Sequence, residues 1–242
     1  MVDLKRRLIG VWTSGGAAAR TARAALLPFS ALYRAVSSAR GMLYDRRVLP
    51  VYQSSIPVVS VGNLTVGGTG KTPISAWIAR EILERGRVPA IVLRGYGADE
   101  PGVHAVLNPG VQIVVSADRV HAIARAAAQG ADVAVLDDAF QHRRVRREVD
   151  LVLVSAERWT ARRHLLPAGP WREPITSLAR ATAAVVTRKS ASAEHAASVA
   201  RALERVIGGE HIASVAFALG DLRSIRGESR PLAAVKNARV LA

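Results

Sequence analysis

Val61-Gly62-Asn63-Leu64-Thr65-Val66-Gly67-Gly68-Thr69-Gly70-Lys71-Thr72-Pro73 is the stretch whose reading decides the fold of this chain. The apolar run 56–61 ahead of it predicts a buried strand. Behind it, Ile74, Trp77, Ile78 and Ile82 recur at helical spacing within 73–85 and predict a helix with one apolar face. Strand, glycine-rich loop and helix in that order form a phosphate cradle. Glycines let backbone N–H groups approach the oxygens, and the helix turns its positive end toward the anion. Thr65 stands where the usual spacing has its first glycine, but Gly67, Gly68 and Gly70 supply the freedom and Gly70-Lys71-Thr72 is intact. Thr65, Val66, Gly67, Gly68, Thr69, Gly70, Lys71 and Thr72 are therefore the candidate nucleotide-binding residues. Lys71 reaches the β- and γ-phosphates and Thr72 offers its hydroxyl to Mg²⁺.

Outward from the loop, apolar runs at 88–93, 111–115, 132–137, 149–154 and 183–187 alternate with helical patterns at 118–129 and 192–206. That alternation predicts an α/β fold of P-loop NTPase type, a parallel sheet with helices on both faces. A phosphate loop needs a metal-holding carboxylate at the end of a neighbouring strand, and Asp137-Asp138 end such a strand. The alternative for the pair is to cap that strand or a following helix. His142, just beyond, either orients an aspartate, touches phosphate, or lies at the surface. Asp99 follows the strand at 88–93, at the carboxyl edge where ligands bind in such sheets. There it either accepts a proton from an attacking hydroxyl or stabilises a turn.

With 242 residues, half of them apolar, the chain has room for one large α/β domain and a smaller appendage. No cysteine is present, which excludes disulfides, thiolate metal sites and cysteine nucleophiles. The net charge of +15 favours a polyanionic partner, although an arginine-rich genome would give part of the same balance. No run of 18 uncharged apolar residues occurs, and Thr13-Ser14-Gly15-Gly16 interrupts the signal-like stretch behind Lys5-Arg6-Arg7. The first 50 residues hold nine Arg or Lys against two acids, with Leu26, Phe29, Leu32, Tyr33 and Val36 at helical spacing. This predicts a basic amphipathic helix, lying either in a membrane interface or on the domain. The expected division is a basic helical segment at 1–50, a phosphate-loop domain at 51–217 and a less patterned portion at 218–242. Arg239-Val240-Leu241-Ala242 reads as the start of a further strand.

Together the motifs resemble the tetraacyldisaccharide 4′-kinase family. They are VGNLTVGGTGKTP at 61–73, RGYG at 94–97, Asp99-Glu100, Asp118-Arg119, DDAFQHRR at 137–144 and LLPAGPWREP at 165–174. The resemblance implies transfer of the ATP γ-phosphoryl group to the 4′-hydroxyl of an acylated disaccharide 1-phosphate lipid. It also implies work at the cytoplasmic face of the bacterial inner membrane, with an anionic membrane surface as partner. Carried over by residue, Lys71 and Thr72 serve ATP and Mg²⁺, Asp138 with Asp137 the metal, and Asp99 acts as general base. Arg119, His142 and Glu173 match positions near nucleotide and sugar. Ala139 and Trp171 replace the family's more usual glycine and leucine, and the spacer between RGYG and Asp99-Glu100 is short. The family normally continues with a glycine-rich strand turn and an Asp-His-His segment that follow the point where this sequence ends, so a truncated relative is expected.

Two other classes compete. A partitioning-type ATPase carries an extra loop lysine where this chain has Val66. A nucleic-acid-associated NTPase suits the charge, but 11 aromatic residues give few stacking platforms, and no nucleic acid is expected. An ATP-binding fragment without turnover is the remaining alternative. Thr187-Arg188-Lys189, after the strand at 183–187, is the candidate adenine contact.

Overall fold

The computed structural model describes residues 9–95, 99–160, 162–207, 211–218, 220–223, 228–231 and 233. Tyr96 and Gly97 of the RGYG motif, the basic cluster at 5–7 and the strand start expected at 239–242 lie outside the described residues.

Seven strands form one parallel sheet: β1 (Val58–Asn63), β2 (Pro89–Leu93), β3 (Gln112–Val115), β4 (Val133–Asp137), β5 (Val149–Ser155), β6 (Ala183–Arg188) and β7 (Ile212–Ala216), in the order β3-β2-β4-β1-β5-β6-β7. The helices that follow are α1 (Ala17–Asp45), α2 (Lys71–Glu84), α3 (Glu100–Leu107), α4 (Arg119–Ala128) and α5 (Ala193–Ile207). Side chains alternate across each strand, so Val61, Ile91, Leu93, Val135, Leu153 and Val185 meet α2 through Ile74 and Ala79 on one face. On the other face, Ala90, Val92, Ala134 and Leu136 pack on Ala122, Ile123 and Ala126 of α4. Val152, Val154, Ala184 and Val186 pack there on Ala196, Val199 and Leu203 of α5. Helices thus cover both faces, as the alternation predicts.

The apolar runs locate six strands to within two residues. β7 goes unannounced in the sequence, because it is an edge strand with Ala213 and Ser214 exposed. Trp77 departs from the expected face of α2. Ile74, Ser75, Ala76 and Ala79 set the buried arc, and Trp77 projects away from it with 57% exposure.

The amphipathic helix at the N-terminal end is α1, 29 residues long. It docks through a polar seam. Ser30 Oγ donates to Leu165 O and accepts from Ala168 N–H, both at 3.0 Å, and Tyr33 Oη donates to Arg172 O at 3.0 Å. Of the five residues expected on one face, Leu26 and Tyr33 are partly covered. Phe29, Leu32 and Val36 point outward with 61%, 64% and 61% exposure. Helical geometry explains the split, since 26 and 33 are seven apart and fall on the Ser30 side, whereas 29, 32 and 36 line its flank.

Candidate active site

Register places the site. Val61 of β1 pairs with Asp137 of β4, so the phosphate loop leaving β1 lies beside Asp137-Asp138 leaving β4. The loop is then shaped from several sides. Asn63 Nδ2 donates to Thr69 Oγ1 (2.9 Å), Thr187 Oγ1 donates to Thr69 O (2.9 Å), and Val66 N–H donates to Pro170 O (2.8 Å). Arg158 donates to Val66 O at 3.1 Å. Gly67 and Gly70 have φ of 113° and 86°, the left-handed region glycine reaches without strain. A Cβ at either position would also displace a neighbouring side-chain end, the Phe217 ring edge (2.4 Å) at Gly70 and the Arg158 guanidinium (2.0 Å) at Gly67. Gly70 precedes α2 with no side chain capping that helix, which leaves its first N–H groups for an anion.

Lys71 Nζ lies 3.7 Å from Asp138 Oδ1, and Arg172 Nη1 lies 2.8 Å from the same oxygen. Burial alone would raise the Asp138 carboxyl, but the Lys71 and Arg172 charges outweigh it and hold it below the usual aspartate value. Asp138 has φ of +49°, a left-handed backbone that costs a non-glycine residue about 1–3 kcal/mol unless its surroundings enforce it. Its surroundings do so. Asp138 N–H donates to Asp137 Oδ1 (2.8 Å), while Arg119 Nη2 donates to the carbonyls of Asp137 (2.9 Å) and Asp138 (3.1 Å). Asp137 is itself 5% exposed, so Asp138 is the member of the pair that faces the loop.

Asp99 directly precedes α3, and its side chain caps no helix N–H. Next to it, burial and then the charges of Asp137, Asp138 and Asp99 push the Glu100 carboxyl up. Asp99, Glu100, Asp137 and Asp138 therefore share one electrostatic neighbourhood.

The other sequence candidates divide. Arg119 is 2% exposed and spends its guanidinium on backbone carbonyls, so it shapes the aspartate turn from behind. His142 is part-buried on the following loop; burial, then the charges of Arg119 and Arg147, push its imidazole down to about 4. Arg147 fixes that loop by donating to Ala139 O and to His142 O while pairing with Asp150 at 2.6 Å. Glu173 pairs with Arg180 at 2.8 Å, and that guanidinium stacks on Phe140. The ion pair of Glu173 is therefore with Arg180. Arg172 lies inside the motif at 165–174 without being singled out by sequence, and only its distance to Asp138 reveals it. Thr187, the first residue of the candidate adenine contact Thr187-Arg188-Lys189, donates to the phosphate loop at Thr69 O. Glu157 organises the neighbouring turn by accepting from the N–H groups of Lys189, Ser190 and Ala191.

Among the described residues no three histidine, aspartate or glutamate groups gather as a metal-holding cluster. A magnesium ion at a phosphate loop needs none, because phosphate oxygens and waters fill most of its octahedron. One hydroxyl and one front-facing carboxylate, Thr72 and Asp138 with Asp137 behind, fit that requirement.

Comparisons with known proteins agree with this geometry. The family described as tetraacyldisaccharide-1-P 4′-kinase matches over residues 22–110 and 99–242. A relative named tetraacyldisaccharide 4′-kinase from Anaeromyxobacter dehalogenans is 41% identical over 208 residues, covering 76% of this chain and 55% of its own length. One of the same name from Chlorobium chlorochromatii is 36% identical over 236 residues, covering 87% of this chain and 63% of its own. The chain thus spans only about half to two thirds of these relatives. A solved structure titled as "apo" form LpxK from Aquifex aeolicus in complex with ATP superposes with a TM-score of 0.68 at 29% identity, over 88% of this chain and 70% of that one. Phosphate loop, aspartate turn and sequence comparison converge, and the chain belongs to the tetraacyldisaccharide-1-P 4′-kinase family.

Proposed function

We propose that this chain binds ATP with Mg²⁺ and transfers the γ-phosphoryl group to the 4′-hydroxyl of a tetraacylated disaccharide 1-phosphate, yielding the 4′-phosphorylated lipid. The observation that carries the reading is the convergence of Lys71 and Arg172 on Asp138 at the mouth of the glycine loop. Two cations and one carboxylate at that point suit a transferring phosphoryl group, whose chemistry requires positioning and charge neutralisation. Loop N–H groups and Lys71 would hold the β- and γ-phosphates, and Thr72 and Asp138 would hold the metal. The metal, when bound, neutralises charge on those phosphates. Asp99 would take the proton of the 4′-hydroxyl as its oxygen bonds to phosphorus and ADP departs. Thr187-Arg188-Lys189 at the end of β6, bonded to the loop through Thr187 and Thr69, supports a place for the base beside it.

An acylated acceptor sits in a bilayer, so the enzyme must meet the membrane. No helix among the described residues is long and apolar enough to cross one. The exposed Phe29, Leu32 and Val36 of α1, on a segment rich in arginine, supply an apolar contact with basic neighbours for an anionic surface. The expected location is the cytoplasmic face of the inner membrane.

The test is incubation with the lipid, ATP and Mg²⁺, followed by mass spectrometry. The reading expects gain of one phosphoryl group on the sugar that carries the 4′-hydroxyl. An unmodified lipid from a folded protein that binds ATP would overturn transfer and leave nucleotide binding alone.

A further inference from the structure

Helix α3 buries the wrong kind of residue for an ordinary packing helix. Its sequence, EPGVHAVL, offers two valines to a core, yet Val103 and Val106 are 43% and 80% exposed. The one fully buried side chain it contributes is His104, at 0% exposure. Burying an imidazole in place of a valine costs free energy unless its polar atoms find partners. The partner is Asp137: His104 Nε2 lies 3.2 Å from Asp137 Oδ2. A carboxylate accepts, so Nε2 carries the proton. Nδ1 is buried without a hydrogen-bond partner, so Asp137 is the contact that compensates the burial of the ring.

Both oxygens of Asp137 are thereby committed. Oδ2 accepts from His104, and Oδ1 accepts from the N–H of Asp138 at 2.8 Å. The second bond holds Asp138 in its left-handed backbone, and the first keeps the carboxylate turned to make it. Asp99 and Glu100 stand at the N-terminal end of the same helix, about 6–8 Å of rise from His104. One short helix is thus pinned at its middle to the aspartate turn while its start presents the candidate base.

Resting on the kinase reading above, we propose that His104 is a positioning residue. It locks Asp137, and through it fixes the Asp138 carboxylate where the metal of a bound nucleotide is held. Partners at this remove from a metal typically change its affinity 10–100-fold when lost.

The test compares wild type with His104→Leu, His104→Gln and His104→Asn. Calorimetry measures ATP affinity without magnesium and the magnesium concentration giving half-maximal enhancement. Circular dichroism confirms the fold of each. Glutamine can place an amide N–H near the Nε2 position; asparagine is too short. The expected result is a magnesium requirement raised about tenfold in the Leu and Asn variants. Magnesium-free ATP affinity should be unchanged, and Gln should lie close to wild type. A merely structural role would shift melting temperature without separating Gln from Asn in magnesium. Equal magnesium requirements in wild type and the Leu variant would overturn the proposal, as would equal behaviour of Gln and Asn. Should the Leu variant not fold, the Gln and Asn pair decides alone. Wild type that binds ATP without any magnesium effect would instead count against the kinase reading itself.

Discussion

Arg172 and Asp138 are 34 residues apart in sequence and meet at 2.8 Å, on the same carboxylate oxygen that Lys71 approaches to 3.7 Å. The contact ties the loop after residue 164 to the end of β4. It also bears on α1, because Tyr33 of that helix donates to the Arg172 carbonyl. Helix α1, Arg172 and Asp138 are therefore linked by two hydrogen bonds.

If Arg172 stabilises the transferring phosphoryl group, Arg172→Ala lowers kcat about 10²–10³-fold, the usual loss for one preorganised donor. Arg172→Lys recovers only part of it, since an ammonium lacks the planar fork. Steady-state kinetics at saturating ATP checks both.

Asp99→Ala lowers kcat about 10²–10⁴-fold, the range for a lost general base, with ATP affinity little changed. Reduced nucleotide affinity with normal turnover would assign Asp99 a structural part. Kinetics and calorimetry on one preparation separate the two.

The strands were legible because parallel strands, buried on both faces, appear as unbroken apolar runs such as 132–137. The phosphate loop was legible because its chemistry needs glycines and a lysine at fixed spacing. What sequence hid was long-range or locally weak. Helix α3 is eight residues containing Pro101 and Gly102, so no periodicity announces it. His104 and Asp137 lie 33 residues apart, and no local pattern pairs them. Arg119 was legible as important but not in its task, because only the fold shows its guanidinium turned to the carbonyls of 137 and 138.

His142 gives a pH signature. Its folded value of about 4 lies below the ordinary 6.5, so the unfolded chain binds the extra proton first. The associated stability is complete above pH 6.5 and is lost as pH falls from there toward 4. Thermal midpoints of wild type should therefore drop more steeply across that window than those of His142→Asn. Parallel curves would place the imidazole in ordinary solvent.

Phe29→Glu with Leu32→Glu should abolish flotation with anionic vesicles while leaving the melting temperature unchanged, because both side chains are exposed in the folded protein. Undiminished flotation would remove this flank of α1 from the membrane contact.

The central claim is that the glycine loop and Lys71 hold the phosphates of ATP beside Asp138. Calorimetric titration of wild type and Lys71→Ala with ATP, in the presence of magnesium, tests it most directly. The account predicts tight binding by wild type and a loss of at least about tenfold in the variant, the effect of one charge-assisted contact of about 1.4 kcal/mol. Equal affinities in two folded proteins would contradict it.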